Sequence, residues 1–179
     1  MNPSLVGSEM CIRDRRQAKR LNPGSSIIVT GCYAQLKPEE LAAVKEVDMI
    51  FGAKEKFNLL DHLDSIELNH KTKLFHSEIN SVSHFEPSFS SNDRTRSYLK
   101  VQDGCDYNCT FCTIPLARGA SRSSTVSKTL MSAKQAISSG AREIVLTGVN
   151  IGDFGVNSHE KFIDLLVALN DLNDLDRIR

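Results

Sequence analysis

The sequence lacks an excess of either charge, since 22 basic residues balance 22 acidic residues among 179. The whole-chain charge therefore gives no electrostatic argument for a nucleic-acid partner, and any such surface must be local. No stretch reaches the roughly 18 to 20 apolar residues that a membrane-spanning helix needs. Residues 1–12 also lack the basic start and long apolar run of a secretion signal. We therefore expect a cytoplasmic protein with no membrane partner.

Cysteine is scarce, with five residues in the chain, and Cys105, Cys109 and Cys112 share one polar loop with gaps of three and two residues. A structural zinc site usually takes four ligands in two pairs, and no second pair stands nearby. A disulfide framework usually has an even, regularly spaced set of cysteines in a secreted chain. Three thiolates suit a 4Fe–4S cluster whose fourth iron stays open to a small molecule. The spacing favours the cluster, with zinc as the alternative.

The first half of the chain alternates short apolar runs with helical patterns. Residues 26–30 and 48–51 each contain three consecutive apolar residues and predict buried strands. Pro38 suits the first turn of a helix between them. Alternation at this pitch predicts a parallel α/β sheet. A further helix is predicted over 56–63, with its apolar residues buried: Phe57, Leu59, Leu60 and Leu63.

The second half predicts two strand–helix units. Strands are expected at 98–102 and 143–147, with helices over 126–139 and 162–172. A third strand is predicted to begin at 176–179. Residues 65–93 between the halves are polar and serine-rich and predict a linker. Its Phe85 and Phe89 are expected to cover a sheet edge or to pack between domains.

The cysteine loop, with Phe111 directly before its third cysteine, resembles the radical S-adenosylmethionine superfamily. Four blocks follow the order found in the methylthiotransferases: 29–35, 98–105, 114–123 and 144–150. Within that family, residues 117–119 and 147–155 are most similar to the branch that modifies threonylcarbamoyladenosine beside the tRNA anticodon.

The resemblance also implies a domain organisation. Residues 1–15 match nothing in the family and resemble a non-native leader. Residues 16–64 would be the end of an N-terminal parallel α/β domain, 65–93 the linker, and 94–179 the first β/α units of a partial radical S-adenosylmethionine barrel. We therefore expect an internal fragment of a longer enzyme that is inactive by itself in methylthio transfer.

Cofactors and their ligands follow from the resemblance. Cys105, Cys109 and Cys112 would hold a 4Fe–4S cluster that binds S-adenosylmethionine and cleaves it, after reduction, to a 5'-deoxyadenosyl radical. Cys32 would be one of three ligands of a second 4Fe–4S cluster, whose other two cysteines are absent here. Cys11 lies in the leader and is not expected to be a ligand.

Further cofactor-binding residues are expected beside the cluster. The resemblance places Thr147, Gly148 and Asn150 against the amino group of S-adenosylmethionine, although without the cysteines this sequence is an ordinary strand-ending turn. Arg118, like Arg122, would contact the cofactor carboxylate or an RNA phosphate, or remain solvated.

Other loop residues have simpler expected roles. Tyr107 and Phe111 are expected to shield the cluster from water, and Asn108 to donate a hydrogen bond to it. Residues 152–155 are expected to form a loop tip, with an extension of the cofactor pocket as the alternative. The five histidines are scattered without metal-ligand spacing and are expected at the surface: His62, His70, His76, His84 and His159.

The resemblance implies an enzyme that adds a methylthio group to adenosine in tRNA, with threonylcarbamoyladenosine next to the anticodon as the expected substrate. The tRNA anticodon loop and an electron donor such as flavodoxin or ferredoxin would be partners. The alternatives are isopentenyladenosine in tRNA, an aspartate of a ribosomal protein, and an iron–sulfur or zinc module without catalysis.

Overall fold

The structure is a computed structural model with a mixed α/β fold. The chain divides into two compact units, one ending at Val82 and the other beginning at Ser83. No helix in the described part of the chain is long and apolar enough to cross a bilayer. The structure describes the backbone of residues 6–65, 71–90 and 95–179, and the side chains of 13–63, 71–90 and 95–179.

The first unit is built on a three-stranded sheet in the order β1-β2-β3, with all strands parallel. Its core contains Val29, Leu41 and Ile50, because the helices after β1 lay their apolar side chains on the sheet. A 3-10 helix, Glu55–Ser65, follows β2. In chain order the other elements are α1 (Val6–Leu21), β1 (Ile28–Thr30), α2 (Cys32–Leu36), α3 (Pro38–Ala42), β2 (Met49–Phe51) and β3 (Lys73–Phe75).

Two expectations for the first unit were wrong. The helix predicted over 56–63 is a 3-10 helix, and its period of three residues puts Phe57 and Leu60 at the surface, 50% and 75% exposed. Leu63 is also exposed. Residues 71–90 of the predicted linker are partly regular, since β3 joins the sheet beside β2. Three residues in polar surroundings are too short a run for sequence alternation to reveal.

The second unit contains a four-stranded sheet in the order β4-β5-β8-β9. β4 is antiparallel to β5, whereas β5 pairs in parallel with β8, and β8 pairs in parallel with β9. A separate antiparallel pair is formed by β6 and β7. The elements are β4 (Ser88–Phe89), β5 (Arg96–Lys100), β6 (Gln102–Asp103), α4 (Ile114–Arg118), β7 (Arg122–Ser123), α5 (Val126–Ser138), β8 (Glu143–Thr147), α6 (Phe162–Asn170) and β9 (Arg177–Ile178).

The alternation along β5 determines which side of the second sheet is buried. Leu99 points into a core shared with α5 and α6, whereas Tyr98 and Lys100 point to the opposite side. Phe89 on the edge strand β4 packs against the same core. The predicted parallel α/β arrangement is confirmed. That β5, β8 and β9 begin a barrel remains a prediction.

Candidate functional site

The predicted ligand loop runs from the end of β6 to the start of α4. Because β6 follows β5 after one residue, the loop lies beyond the carboxyl end of β5. Cys105 and Cys112 are half-buried and Cys109 is exposed, and none of them forms a disulfide. The amide of Cys112 donates to the carbonyl of Cys109 at 3.0 Å, which closes a turn between these two predicted ligands. Reactive groups in parallel α/β folds lie on such loops.

Backbone contacts hold the start of the cysteine loop against the segment that follows α4. Gly104 has φ +73°, and a Cβ at this position would lie 2.0 Å from the carbonyl oxygen of Ala120. The Cys105 amide donates to the Gly119 carbonyl at 3.1 Å. Asp106 Oδ1 accepts from the Ser121 amide at 2.8 Å. The loop entry is therefore fixed by close backbone packing that only glycine permits at position 104.

The donor set of the loop fits an iron–sulfur cluster on its chemistry. Cys105, Cys109 and Cys112 offer three soft thiol ligands, and thiolate is the ligand that iron–sulfur clusters take. In the described ranges no three histidine, cysteine or acidic side chains already have metal-site spacing.

A groove of about 650 Å³ lies on the side of the second sheet opposite its core. Three of the four predicted cofactor-binding residues line it: Arg118, Thr147 and Gly148. Asn150 does not line the groove; its backbone amide donates to Gln102 Oε1 at 2.8 Å. Thr147 is the register partner of Lys100, so β8, which leads into the turn, and β5, which leads through β6 into the cysteine loop, end at the same edge of the sheet. The remaining lining residues are Ser88, Phe89, Ser90, Tyr98, Lys100, Gln102, Ile114 and Val149.

A buried carboxylate, Asp103, organises the cations beside the groove. Arg118 donates to its Oδ1 at 3.0 Å and Arg122 to its Oδ2 at 3.1 Å, while the Lys100 ammonium lies 3.8 Å from Oδ2. Burial by itself raises the pKa of Asp103. The hydrogen bond from Arg118 and the charges of Arg122 and Lys100 outweigh burial, so the pKa of this carboxyl lies below its usual range.

The two predicted arginines differ in their surroundings. Arg122 also donates to the carbonyls of His84, Arg118 and Ala120, and its side chain is 11% exposed. Arg122 therefore ties three backbone carbonyls to Asp103, which differs both from contact with a ligand and from a solvated side chain. Arg118 is 43% exposed and lines the groove while paired with Asp103. Arg118 is therefore the better-placed cation for an anionic ligand.

Replacing Asp103 by asparagine is expected to destabilise the second unit by about 2 kcal/mol, because the nearly buried Arg122 loses its counter-charge. Urea denaturation at neutral pH measures the change. Asp174→Asn, in the loop after α6, is the matched control and should change the free energy of unfolding by less than about 0.5 kcal/mol. Equal stability of Asp103→Asn and the control would contradict the structural role of this carboxylate.

Gln102 is a functional candidate that the sequence patterns do not single out. Its side-chain oxygen accepts from the amides of Val149 and Asn150, at 2.9 Å and 2.8 Å. It lies directly before the loop and is 1% exposed. The sequence signal that could have found it is the polar pair Gln102 and Asp103 directly after an apolar strand. Polar side chains that are buried need specific hydrogen-bond partners, so such a pair indicates a built polar site.

Tyr107 and Phe111, expected to shield the cluster, are 58% and 89% exposed, and their shielding role stays a prediction. Another site expectation was wrong. Residues 152–155 are not a loop tip, because Phe154 is 3% exposed and packs near Phe162 with ring centroids 6.3 Å apart. Gly155, at φ +78°, brings its backbone against the carbonyl of Glu160. Glycine on both sides of Phe154 imitates a surface turn, whereas the ring anchors the segment in the core.

In the first unit, Cys32 is exposed at the start of α2, directly after β1. His62 is not simply a surface residue, since its ring lies 4.2 Å from Phe75 and 5.7 Å from Phe51 between centroids. His76 Nε2 lies 3.0 Å from Gln35 Nε2. The side chain of Cys11 and all of His70 fall outside the described residues. His76, His84 and His159 are exposed as expected.

No protein-family model matches the chain. Individual relatives do. The chain is 38% identical over its full length to threonylcarbamoyladenosine tRNA methylthiotransferase MtaB of Thermotoga maritima, of which it covers 42%. It is 38% identical over 92% of its length to the protein of that name from Bacillus subtilis, covering 37% of it. It is 32% identical over 98% of its length to tRNA-2-methylthio-N(6)-dimethylallyladenosine synthase of Rickettsia felis, covering 41%. The chain thus spans about two fifths of these relatives.

Proposed function

We propose that this chain, which belongs to the methylthiotransferase family, carries the cluster loop and the S-adenosylmethionine groove of a tRNA-modifying enzyme. The observation that carries the proposal is that both features follow strands that end side by side. β5 continues through β6 into the loop with Cys105, and β8 continues into the turn with Gly148. Both β5 and β8 end at the same edge of one sheet, and the groove lies beside them. This is where parallel α/β folds place ligands.

Each group in the site has a proposed role. Cys105, Cys109 and Cys112 hold a 4Fe–4S cluster, and that cluster supplies one-electron cleavage of S-adenosylmethionine. Arg118 binds the carboxylate of S-adenosylmethionine, and Asp103 keeps the guanidinium at the groove by pairing with it at 3.0 Å.

The turn after β8 provides another part of the groove wall, through Gly148 and Val149. Gly148 leaves its backbone accessible, and the Thr147 hydroxyl is tied to the Leu99 carbonyl at 3.2 Å, which fixes the end of β8. Tyr98 adds aromatic surface suited to a nucleoside ring. Asn150 contributes to this turn through its backbone amide, which donates to Gln102. A mixed apolar and cationic lining suits a nucleoside that carries an amino-acid group.

The proposed reaction of the intact enzyme is methylthiolation of adenosine in tRNA, at threonylcarbamoyladenosine next to the anticodon. Two relatives at 38% identity carry that substrate in their names. The 32% identical relative named for dimethylallyladenosine makes this modified base the second candidate. The anticodon loop and a flavodoxin or ferredoxin are the proposed partners, and the cytoplasm the proposed location. Cys32 is proposed to supply one ligand of a second cluster.

Mass spectrometry of tRNA nucleosides tests the substrate. Deletion of the complete gene in its native host is expected to abolish the methylthio form of threonylcarbamoyladenosine and leave its unmethylthiolated precursor. Loss of methylthio-dimethylallyladenosine instead would assign the second candidate. Unchanged tRNA nucleosides would contradict a role in tRNA and direct attention to a ribosomal-protein aspartate or to a non-catalytic module.

Arg118→Gln is expected to weaken binding of S-adenosylmethionine to the reconstituted chain about tenfold or more, because a charge-assisted hydrogen bond contributes about 1.5–3 kcal/mol. Isothermal titration under anaerobic conditions measures the dissociation constant, and iron content per chain should not change. Arg142→Gln is the control, since Arg142 is 56% exposed and pairs with Asp176 away from the groove. Equal affinities in the two variants would remove Arg118 from the binding site.

A further inference from the structure

Gln102 joins the two halves of the proposed site through its side-chain amide. Besides accepting from the Val149 and Asn150 amides, it donates through Nε2 to the Gly104 carbonyl at 2.8 Å, the Ser121 hydroxyl at 2.9 Å and the Asp103 carbonyl at 3.1 Å. The oxygen therefore faces the turn after β8, and the nitrogen faces the start of the cysteine loop.

The orientation of this amide follows from its partners. Two backbone N–H groups surround Oε1, and two carbonyl oxygens approach Nε2, so exchanging oxygen and nitrogen would place like groups against each other. Gly148 packs directly on this side chain, because a Cβ on Gly148 would lie 3.0 Å from Gln102 Oε1 and 3.1 Å from its Cβ. The contact leaves little room for the turn to shift.

We propose that Gln102 is a positioning residue, which sets the groove wall at Gly148 relative to the cluster ligand Cys105 by bonding both segments at once. The inference rests on the proposed function of the groove and the loop. An apolar residue of equal length would fill the same volume but leave the half-buried amides of Val149 and Asn150 without this acceptor. Gln102 acts through these segments and needs no contact with a ligand.

Two substitutions separate the two sides of the amide. Gln102→Met keeps the length of the side chain and removes every hydrogen bond. Gln102→Glu keeps an oxygen for Val149 and Asn150, but turns a second oxygen towards the carbonyls of Asp103 and Gly104. Gln135→Met and Gln135→Glu are matched controls, because Gln135 lies on the exposed side of α5.

Amide hydrogen exchange of the chain without cofactor is the first measurement, with exchange normalised to amides in α5. In Gln102→Met we expect the Val149 and Asn150 amides to exchange about tenfold faster. In Gln102→Glu these amides should stay within about twofold of the original chain, while those of Cys105 and Ser121 exchange about tenfold faster. If Gln102→Met does not fold, the divided pattern in Gln102→Glu decides. Uniform acceleration across the unit, or none, would overturn the proposal.

Affinity for S-adenosylmethionine after anaerobic reconstitution is the second measurement. Gln102→Met, or Gln102→Glu if the former does not fold, should bind about tenfold more weakly at unchanged iron content. Unchanged affinity despite faster amide exchange would show that Gln102 supports the fold alone, and would overturn the positioning role. Absence of binding in the unsubstituted chain would overturn the proposed function itself, and that outcome is distinct because it precedes any substitution.

Discussion

Cys105→Ala is expected to abolish incorporation of a 4Fe–4S cluster during anaerobic reconstitution of this chain. The loop supplies three thiols from one segment, and two remaining ligands do not hold the cube with a single open iron. Iron and sulfide analysis, together with the visible absorption of the cluster, measures the loss. We expect iron per chain to fall to the background of a protein without a cluster site.

Cys32→Ala provides the matched control for this result. Cys32 is an exposed thiol of the first unit, and one cysteine alone cannot be expected to bind the second cluster. Its removal should leave iron content unchanged. Cluster incorporation that survives Cys105→Ala, or that disappears with Cys32→Ala, would contradict the assignment of the ligand loop.

Gly104→Ala is expected to destabilise the second unit by about 4 kcal/mol, which is a large fraction of the roughly 5–15 kcal/mol by which native domains are stable. The new methyl group would lie 2.0 Å from the Ala120 carbonyl oxygen, and the backbone at φ +73° disfavours any residue with a Cβ. Because the contact is with backbone, relief requires the loop entry or the segment after α4 to move. Denaturation followed by circular dichroism measures the loss.

Two other glycines of the same unit separate strain from crowding. Gly140 has φ +100° but open space around its added Cβ, so Gly140→Ala should cost only about 1–2 kcal/mol. A Cβ on Gly152 would lie 3.5 Å from its nearest neighbour, at an ordinary φ, and this substitution should be close to neutral. A cost for Gly104→Ala no larger than for Gly140→Ala would contradict the close packing of the cysteine loop.

The sequence predicted the fold best where apolar periodicity and turn residues agree. β8 and α5 combine alternating or helical apolar patterns with a stop at Gly140, and both were correctly expected. The pattern misjudged residues 56–63, because a 3-10 helix and an α-helix use similar residues but expose different faces. It also missed β3, whose pairing with β2 depends on distant residues rather than on local alternation.

The candidate site was predictable to the extent that its chemistry is local. The cysteine spacing and the turn at Gly148 are sequence-local, and the structure places the loop and the turn at one sheet edge. The roles of Gln102 and Asp103 depend on partners 15 to 48 positions away, which spacing does not reveal. Phe154 was likewise hidden by flanking glycines that resemble a turn.

The central claim is that the cysteine loop and the groove form one site for S-adenosylmethionine. Electron paramagnetic resonance of the reconstituted, reduced chain tests it directly, with chromatography of the products from the same sample. The account predicts that added S-adenosylmethionine changes the cluster signal and that 5'-deoxyadenosine is released. A chain with full iron content whose signal is unchanged by S-adenosylmethionine, and which releases no 5'-deoxyadenosine, would contradict it.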